Sequence, residues 1–146
     1  MNQIKFLIVA LIAILAFASC SEDEPARMLW EVSGKPAGNV ETSIHYDYNS
    51  PVWITVGGYA AEVILKCSNY SELSIYGQKN EDGKYVDSDC RFSAKVIDPT
   101  TVRISFDYME DVDFTEKSCY LQIDGINGKD TRTTMVTITR KHLNYK

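Results

Sequence analysis

Few residues in this chain could perform nucleophilic or acid–base catalysis. It has two histidines, and His142 lies in the C-terminal tail. His45 falls on the polar side of an alternating segment and has no Gly-x-Ser-x-Gly context that would present a nucleophile. The 20 acidic residues show no spacing that singles out a pair able to flank a scissile bond. We therefore expect His45 to be a surface residue and the protein not to be an enzyme.

Cys20 offers a different chemistry, the attachment of lipid. An apolar run over residues 6–17 follows Lys5, and Ala18-Ser19 stands directly before Cys20. The run is shorter than the roughly 20 residues that a spanning helix needs. The arrangement resembles the lipobox of bacterial lipoproteins. The resemblance implies a signal peptide over residues 1–19, removed on export, and a lipidated Cys20 that anchors the protein to a membrane.

Residues 20–27 read as a lipidated cysteine followed by an acidic tether. Ser21-Glu22-Asp23-Glu24-Pro25 is short, charged and typical of a solvated spacer. It also resembles the acidic signal that follows the cysteine in surface-displayed lipoproteins of Bacteroidetes. This resemblance implies the outer membrane and its cell surface, with the periplasmic face as the alternative.

Two acidic segments are candidates for a metal site. Residues 107–116 contain five carboxylates, the ligand type that Ca²⁺ prefers, and residues 81–89 are similar. Neither has the glycine and ordered spacing of a calcium loop. We interpret both as solvated connections, and we predict no metal and no cofactor.

Aromatic side chains are candidates for a carbohydrate site, because flat rings stack on the apolar C–H faces of sugars. Trp53 alternates with Val52, Ile54 and Val56, which places it on the outer face if those three point inward. Three tyrosines, Tyr59, Tyr70 and Tyr85, fall in segments expected to be turns. The alternative is that these rings cover an N-terminal segment around Trp30.

The elements that must position these residues are strands. Apolar and polar residues alternate in eight short segments separated by turn residues: 40–48, 52–56, 61–67, 73–76, 92–96, 102–108, 121–123 and 133–140. Asp98-Pro99-Thr100 and the segment 124–128 predict hairpins. Residues 26–39 fit either a further strand or a linker. The pattern predicts an all-β, immunoglobulin-like antiparallel β-sandwich of about seven or eight strands, forming one domain over residues 28–146.

Three cysteines remain after Cys20, and export would place them in an oxidising compartment. In an immunoglobulin-like strand order Cys67 and Cys119 lie at opposite ends of the sandwich, too far apart to bond. Cys90 and Cys119 begin strands at the same end and are the better candidates for a disulfide. All three share parity with apolar neighbours, so buried free thiols are the favoured outcome.

Several segments carry a family resemblance that covers roughly residues 51–141. Val56-Gly57-Gly58 followed by the strand 62–69 resembles the opening of BACON-type domains. The segments 101–106, 119–123 and 134–139 are similar to the closing three strands of the same domains. The resemblance implies an immunoglobulin-like sandwich in a Bacteroidetes envelope or glycan-processing protein, acting as a spacer or a carbohydrate binder.

The net charge of the chain limits the classes of partner that we expect. The formal net charge is −5 and lysines and arginines do not cluster, which excludes nucleic acid as an expected partner. The sequence therefore predicts a non-enzymatic, lipid-anchored envelope lipoprotein that acts as an interaction, adhesion or spacer module. Its partner would be an envelope or host protein, and the alternative is a carbohydrate-binding module of a surface glycan-utilisation system.

Overall fold

A computed structural model describes residues 25–78, 82–110 and 115–143. These residues contain ten β-strands and no helix. The strands are β1 Trp30–Lys35, β2 Val40–Ile44, β3 Val52–Val56, β4 Ala61–Cys67, β5 Glu72–Ile75, β6 Lys84–Asp87, β7 Phe92–Asp98, β8 Thr101–Phe106, β9 Lys117–Asn127 and β10 Asp130–Arg140. The all-β class predicted from alternation is confirmed.

The strands form two five-stranded sheets arranged as a sandwich. The first sheet has the order β1-β4-β8-β7-β6, and the second has the order β2-β3-β10-β9-β5. Among the described strands, β3 and β10 form the one parallel pair, with Val52 opposite Val136. A fully antiparallel sandwich was therefore the wrong expectation. The chain leaves the second sheet after β3 and returns to it later, so no hairpin forces β3 and β10 to run in opposite directions.

The count of ten strands exceeds the predicted seven or eight because β1 and β6 were not assigned. The undecided segment 26–39 contains β1, which pairs with β4 from Trp30–Cys67 to Lys35–Glu62. The segment interpreted as an acidic connection contains β6, which pairs with β7. Both are edge strands. An edge strand has a neighbour on one side only, so its apolar alternation is weaker.

The core lies between the inner faces of the two sheets. In β3, Val52, Ile54 and Val56 are buried while Trp53 points outward, as the alternation predicts. The predicted hairpins also form, with Asp98 opposite Thr101 and Asn127 opposite Asp130. Burial of these alternating side chains is the main force that joins the two sheets.

The segment before β1 packs against the sandwich. The Pro25 carbonyl oxygen accepts a hydrogen bond from the Arg132 guanidinium at 2.9 Å. Met28 is 2% exposed, and a Cβ added at Gly125 would lie 2.6 Å from its terminal methyl carbon, so this strand position suits glycine. Residues 25–27, assigned to the tether from the sequence, thus contact the folded body.

The predicted signal peptide and Cys20 lie outside the described residues. Within the described ranges, no helix is long and apolar enough to cross a membrane.

Candidate functional site

An aromatic cluster lies on the second sheet where β2 turns into β3. We define it as His45, Tyr48 and Trp53. The ring centroid of His45 is 5.5 Å from that of Trp53 and 5.9 Å from that of Tyr48, and the Tyr48 and Trp53 centroids are 5.9 Å apart. Tyr48 is 60% exposed and Trp53 is 43% exposed. Several exposed aromatic side chains that lie together are a common feature of binding surfaces.

The loop that forms the cluster is fixed by hydrogen bonds. The Trp53 indole nitrogen donates to the Ser50 carbonyl oxygen at 2.7 Å. The Ser50 hydroxyl donates to the Met135 carbonyl oxygen at 2.9 Å and lies 2.6 Å from the Thr137 hydroxyl. The indole is thereby tied to the loop, and the loop is tied to β10. The Trp53 ring is held in place before any ligand arrives, which lowers the entropy cost of binding.

A row of side chains extends the cluster across four strands. Ser43 and Thr137 flank Trp53 on either side, and Tyr120 follows Thr137 on β9. Residues directly opposite one another in a sheet share a face, so all four side chains lie on the outer face of the second sheet. Strands are about 4.8 Å apart, so Trp53 and Tyr120 are separated by about 10 Å with a hydroxyl between them. Tyr120 is 60% exposed.

A cavity of about 310 Å³ shares Tyr48 with the cluster. Its polar lining includes Arg27, Asp47 and Arg132. The Arg27 guanidinium donates to the Tyr46 carbonyl oxygen at 2.9 Å and lies 5.8 Å from the centroid of the Tyr46 ring. Arginine carries five N–H donors, so a guanidinium held by one hydrogen bond can still orient a polar ligand group.

The four aromatic residues proposed from the sequence as ligand-binding do not form one site. Trp53 belongs to the cluster, whereas Tyr59 is 57% exposed and lies beside Tyr108, with ring centroids 6.3 Å apart. Tyr70 is buried, and its hydroxyl donates to the Ala26 carbonyl oxygen. Tyr85 lies in β6 rather than in a turn and packs on Phe92 at 5.9 Å. Tyr70 in particular covers the N-terminal segment, which was the alternative role for these rings.

Two members of the surface were missed in the sequence. Tyr48 shares parity with Val40 and Ile44, and a strand over 40–48 would have placed it on the half-buried side. The strand ends at Ile44, because the chain turns between His45 and Pro51, where the His45 N–H donates to the Pro51 carbonyl oxygen. Tyr120 had a usable signal, since it alternates with the buried Leu121 and Ile123.

His45 is exposed, as predicted, and its Nε2 lies 3.2 Å from the Ser43 hydroxyl. In the described part of the chain, no carboxylate is hydrogen-bonded to the His45 ring. A catalytic serine–histidine pair is normally oriented by such a third group in a site shielded from water. The contact instead lies on the open surface of an edge strand.

A second cluster, which is mostly shielded from solvent, lies where the turn between β6 and β7 meets β9. We define the thiol cluster as Asp87, Cys90 and Cys119, whose ligand atoms lie within 4.8 Å of one another. Cys90 is fully buried and Cys119 is partly exposed. The Asp87 carboxylate accepts hydrogen bonds from the Cys90 backbone N–H at 2.8 Å and from the Cys119 thiol at 3.4 Å. Among the residues that the structure describes, these three could ligate a soft metal ion, whereas the sequence analysis predicted no metal.

Burial governs the protonation of both thiols. Desolvation raises the pKa of the Cys90 thiol far above its ordinary value of 9.0, and the neighbouring Cys119 raises it further. Desolvation also raises the pKa of the Cys119 thiol, and the negative charge of Asp87 adds to that rise. Both groups are therefore protonated and neutral at physiological pH.

Arg140 borders the thiol cluster and was not recognised in the sequence. It is fully buried, and its guanidinium donates to the carbonyl oxygens of Gly57, Cys90 and Asp107 at 2.9 Å each. It also lies 5.4 Å from the centroid of the Phe106 ring. Three loops, which follow β3, β6 and β8, thus bind to one side chain through their carbonyl oxygens.

No protein-family model matches the chain, and no curated protein is significantly similar to it.

Proposed function

We propose that this chain is a non-enzymatic, lipid-anchored lipoprotein of the cell envelope, and that its β-sandwich is an interaction module. The observation that carries the proposal is the exposed aromatic cluster on the outer face of the second sheet. Its Trp53 ring is held in place by the loop, and a row of hydroxyl and phenol groups continues from it across the sheet. Exposed aromatic residues with fixed positions are typical of the centres of binding surfaces.

Attachment through Cys20 would hold this surface close to a membrane. Pro25 already contacts Arg132 of the sandwich, and four residues lie between it and Cys20, so that five Cα–Cα steps join the two. A chain of that length spans at most about 18 Å. The acidic residues after Cys20 favour the outer surface of the outer membrane over its periplasmic face. The immunoglobulin-like character and the BACON-like resemblance are part of this proposal, and the two-sheet sandwich supports the former.

The partner in the primary proposal is an envelope or host protein. The arginines, Asp47 and tyrosines of the cavity beside the cluster suit the mixed polar and aromatic character of a protein interface. The formal net charge of −5 again disfavours nucleic acid.

Carbohydrate binding is the second candidate, and one observation favours it. Trp53 and Tyr120 lie about 10 Å apart on one face with the Thr137 hydroxyl between them. Two rings with that separation could each stack on a sugar ring of an extended chain, while the hydroxyl between them bonds to the sugars. This site differs from the one predicted in the sequence, which combined Trp53 with Tyr59, Tyr70 and Tyr85.

A photo-crosslinking experiment separates the candidates. A photoreactive phenylalanine analogue placed at Tyr48, in cells producing the full chain, should yield a discrete protein adduct. The same analogue at Tyr59, which is equally exposed but lies outside the cluster, serves as the matched control. An adduct from both positions, or from neither, would contradict the protein-partner proposal.

A glycan array probed with detergent-solubilised protein tests the second candidate. Binding that is lost in both Trp53→Ala and Tyr120→Ala, and retained in Tyr59→Ala, supports carbohydrate recognition by the outer face. Equal loss in Tyr59→Ala would place the site elsewhere.

A further inference from the structure

The thiol cluster joins parts of the chain that belong to different sheets. Cys90 lies in the turn between β6 and β7 of the first sheet, and Cys119 lies in β9 of the second. Their sulfur atoms lie within 4.8 Å of each other. A disulfide needs about 2 Å between the sulfurs, so a rotation of the side chains with a small backbone adjustment brings them into bonding range.

We propose that Cys90 and Cys119 are oxidised to a disulfide that ties the two sheets together in the exported protein. This inference rests on the envelope location proposed above, because that compartment is oxidising. The bond would close a loop that contains all of β7 and β8. Loop closure restricts the unfolded chain and so favours the folded state.

The alternative use of the cluster is a bound metal ion, and two features oppose it. A bound metal ion keeps both sulfurs as thiolates for as long as it is bound, which burial disfavours, whereas disulfide formation needs each thiolate only transiently. The Arg140 guanidinium donates to the Cys90 carbonyl oxygen at 2.9 Å, which places a buried positive charge beside any cation. A disulfide is uncharged and apolar, and therefore suits this environment better.

The remaining cysteine stays apart from the pair. Cys67 is buried at the end of β4, and its thiol donates to the Asn69 side-chain oxygen at 3.4 Å. We therefore expect Cys67 to keep a free thiol.

The oxidation is balanced by thiol–disulfide exchange with a disulfide-bearing oxidant. The thiolate of Cys119, which is partly exposed, attacks one sulfur of the oxidant and releases one thiolate. Cys90 then loses its proton, and its thiolate attacks the Cys119 sulfur of the mixed disulfide and releases the second thiolate. The two protons from the cysteines end on the two released thiols, so one oxidant disulfide is reduced for each protein disulfide formed.

The test uses full-length protein solubilised in detergent, reduced, freed of reductant and incubated with oxidised glutathione. We expect the thiols of Cys67, Cys90 and Cys119, counted by alkylation after acid quench and denaturation, to fall from three to one per chain, with the loss of two hydrogen atoms by mass spectrometry. Peptide mapping should find one linkage, between Cys90 and Cys119. The Cys67→Ser variant should form the same bond, with its thiol count falling from two to none.

Three results would overturn the proposal. One is a count of three thiols after incubation, and another is a linkage that includes Cys67. The third is stoichiometric binding of Zn²⁺ that blocks both oxidation and alkylation of Cys90 and Cys119. Since these readouts need no substitution at the pair, a variant that fails to fold cannot obscure them.

The location is tested separately, by mapping protein recovered from intact cells under acid quench. A disulfide that forms with glutathione but is missing from the cell-derived protein would contradict the envelope location rather than the geometry of the pair. A disulfide present in both samples supports both proposals.

Discussion

The indole nitrogen of Trp53 donates a hydrogen bond to the carbonyl oxygen of Ser50 at 2.7 Å, and this contact holds a large ring on the outside of the sandwich. The polar end of the ring is satisfied by the protein, whereas its face is left to solvent and to the two neighbouring aromatic residues. Such an arrangement contributes little to the free energy of folding, and it leaves an aromatic face on the surface.

Removal of the Trp53 ring should therefore leave the fold intact. We expect Trp53→Ala to lower the free energy of unfolding by less than about 1 kcal/mol, because the side chain is outside the core. Ile54→Ala is the matched control on the same strand. Ile54 is 1% exposed, and its truncation should cost about 2–5 kcal/mol. Urea denaturation measures both, and equal losses would show that Trp53 is structural.

Arg140 should be one of the most costly residues to replace. Arg140→Met keeps the aliphatic stem but leaves the buried carbonyl oxygens of Gly57, Cys90 and Asp107 without this donor. We expect a loss of about 3 kcal/mol or more in the free energy of unfolding.

The control for that substitution is Arg103→Met. Arg103 is on the surface, 3.5 Å from the Glu62 carboxylate, and exposed ion pairs of this kind contribute about 1 kcal/mol or less. Similar melting temperatures for the two variants would contradict the structural role of Arg140.

Trp30, in contrast to Trp53, has a buried ring. Its Nε1 is, within the described residues, a buried donor without a hydrogen-bond acceptor. Trp30→Phe removes that donor, and the gain offsets the smaller ring, so we expect a stability change within about 1 kcal/mol. Trp30→Ala should cost about 3–5 kcal/mol. Thermal unfolding that ranks Phe with Ala would show that the indole N–H has an essential partner.

The reduced form of the protein should show a pH dependence at Cys119. The thiolate is the reactive species, and burial together with Asp87 raises the pKa of this thiol above its ordinary value of 9.0. Alkylation at Cys119, followed by peptide mass spectrometry, should therefore be slower than in the unfolded chain and should still rise above pH 9. Asp87→Asn removes a negative charge and should accelerate the reaction at a given pH. A rate that levels off below pH 9 would contradict this environment.

Alternation predicted much of the fold, because a strand buried on one face records that burial in every second residue. The outward position of Trp53 followed directly from it, whereas the hairpin between β7 and β8 was predicted from the turn residues Asp98-Pro99-Thr100. The apolar alternation is weaker in edge strands, and for this reason β6 was interpreted as a loop. The length of β2 depended on a turn stabilised by the His45 N–H bond to the Pro51 carbonyl oxygen, a contact that composition does not reveal.

The sites were harder to predict than the strands, because they depend on contacts between distant segments. Tyr120 lies in the same row as Trp53 only because β10 pairs with both β9 and β3. Arg140 ends an alternating strand with the inward parity of Ile138, but its role depends on carbonyl groups from three loops. The proximity of Cys90 and Cys119 agrees with their predicted position at one end of the sandwich.

Attachment through Cys20 remains the claim on which the envelope role depends. Mass spectrometry of the N-terminal peptide of protein isolated from cell membranes tests it, with Cys20→Ser as the control. We expect a chain that begins at Cys20 and carries acyl groups, and a Cys20→Ser variant that is no longer retained in the membrane fraction. A chain that retains Met1, or that has an unmodified thiol at position 20, would contradict the account.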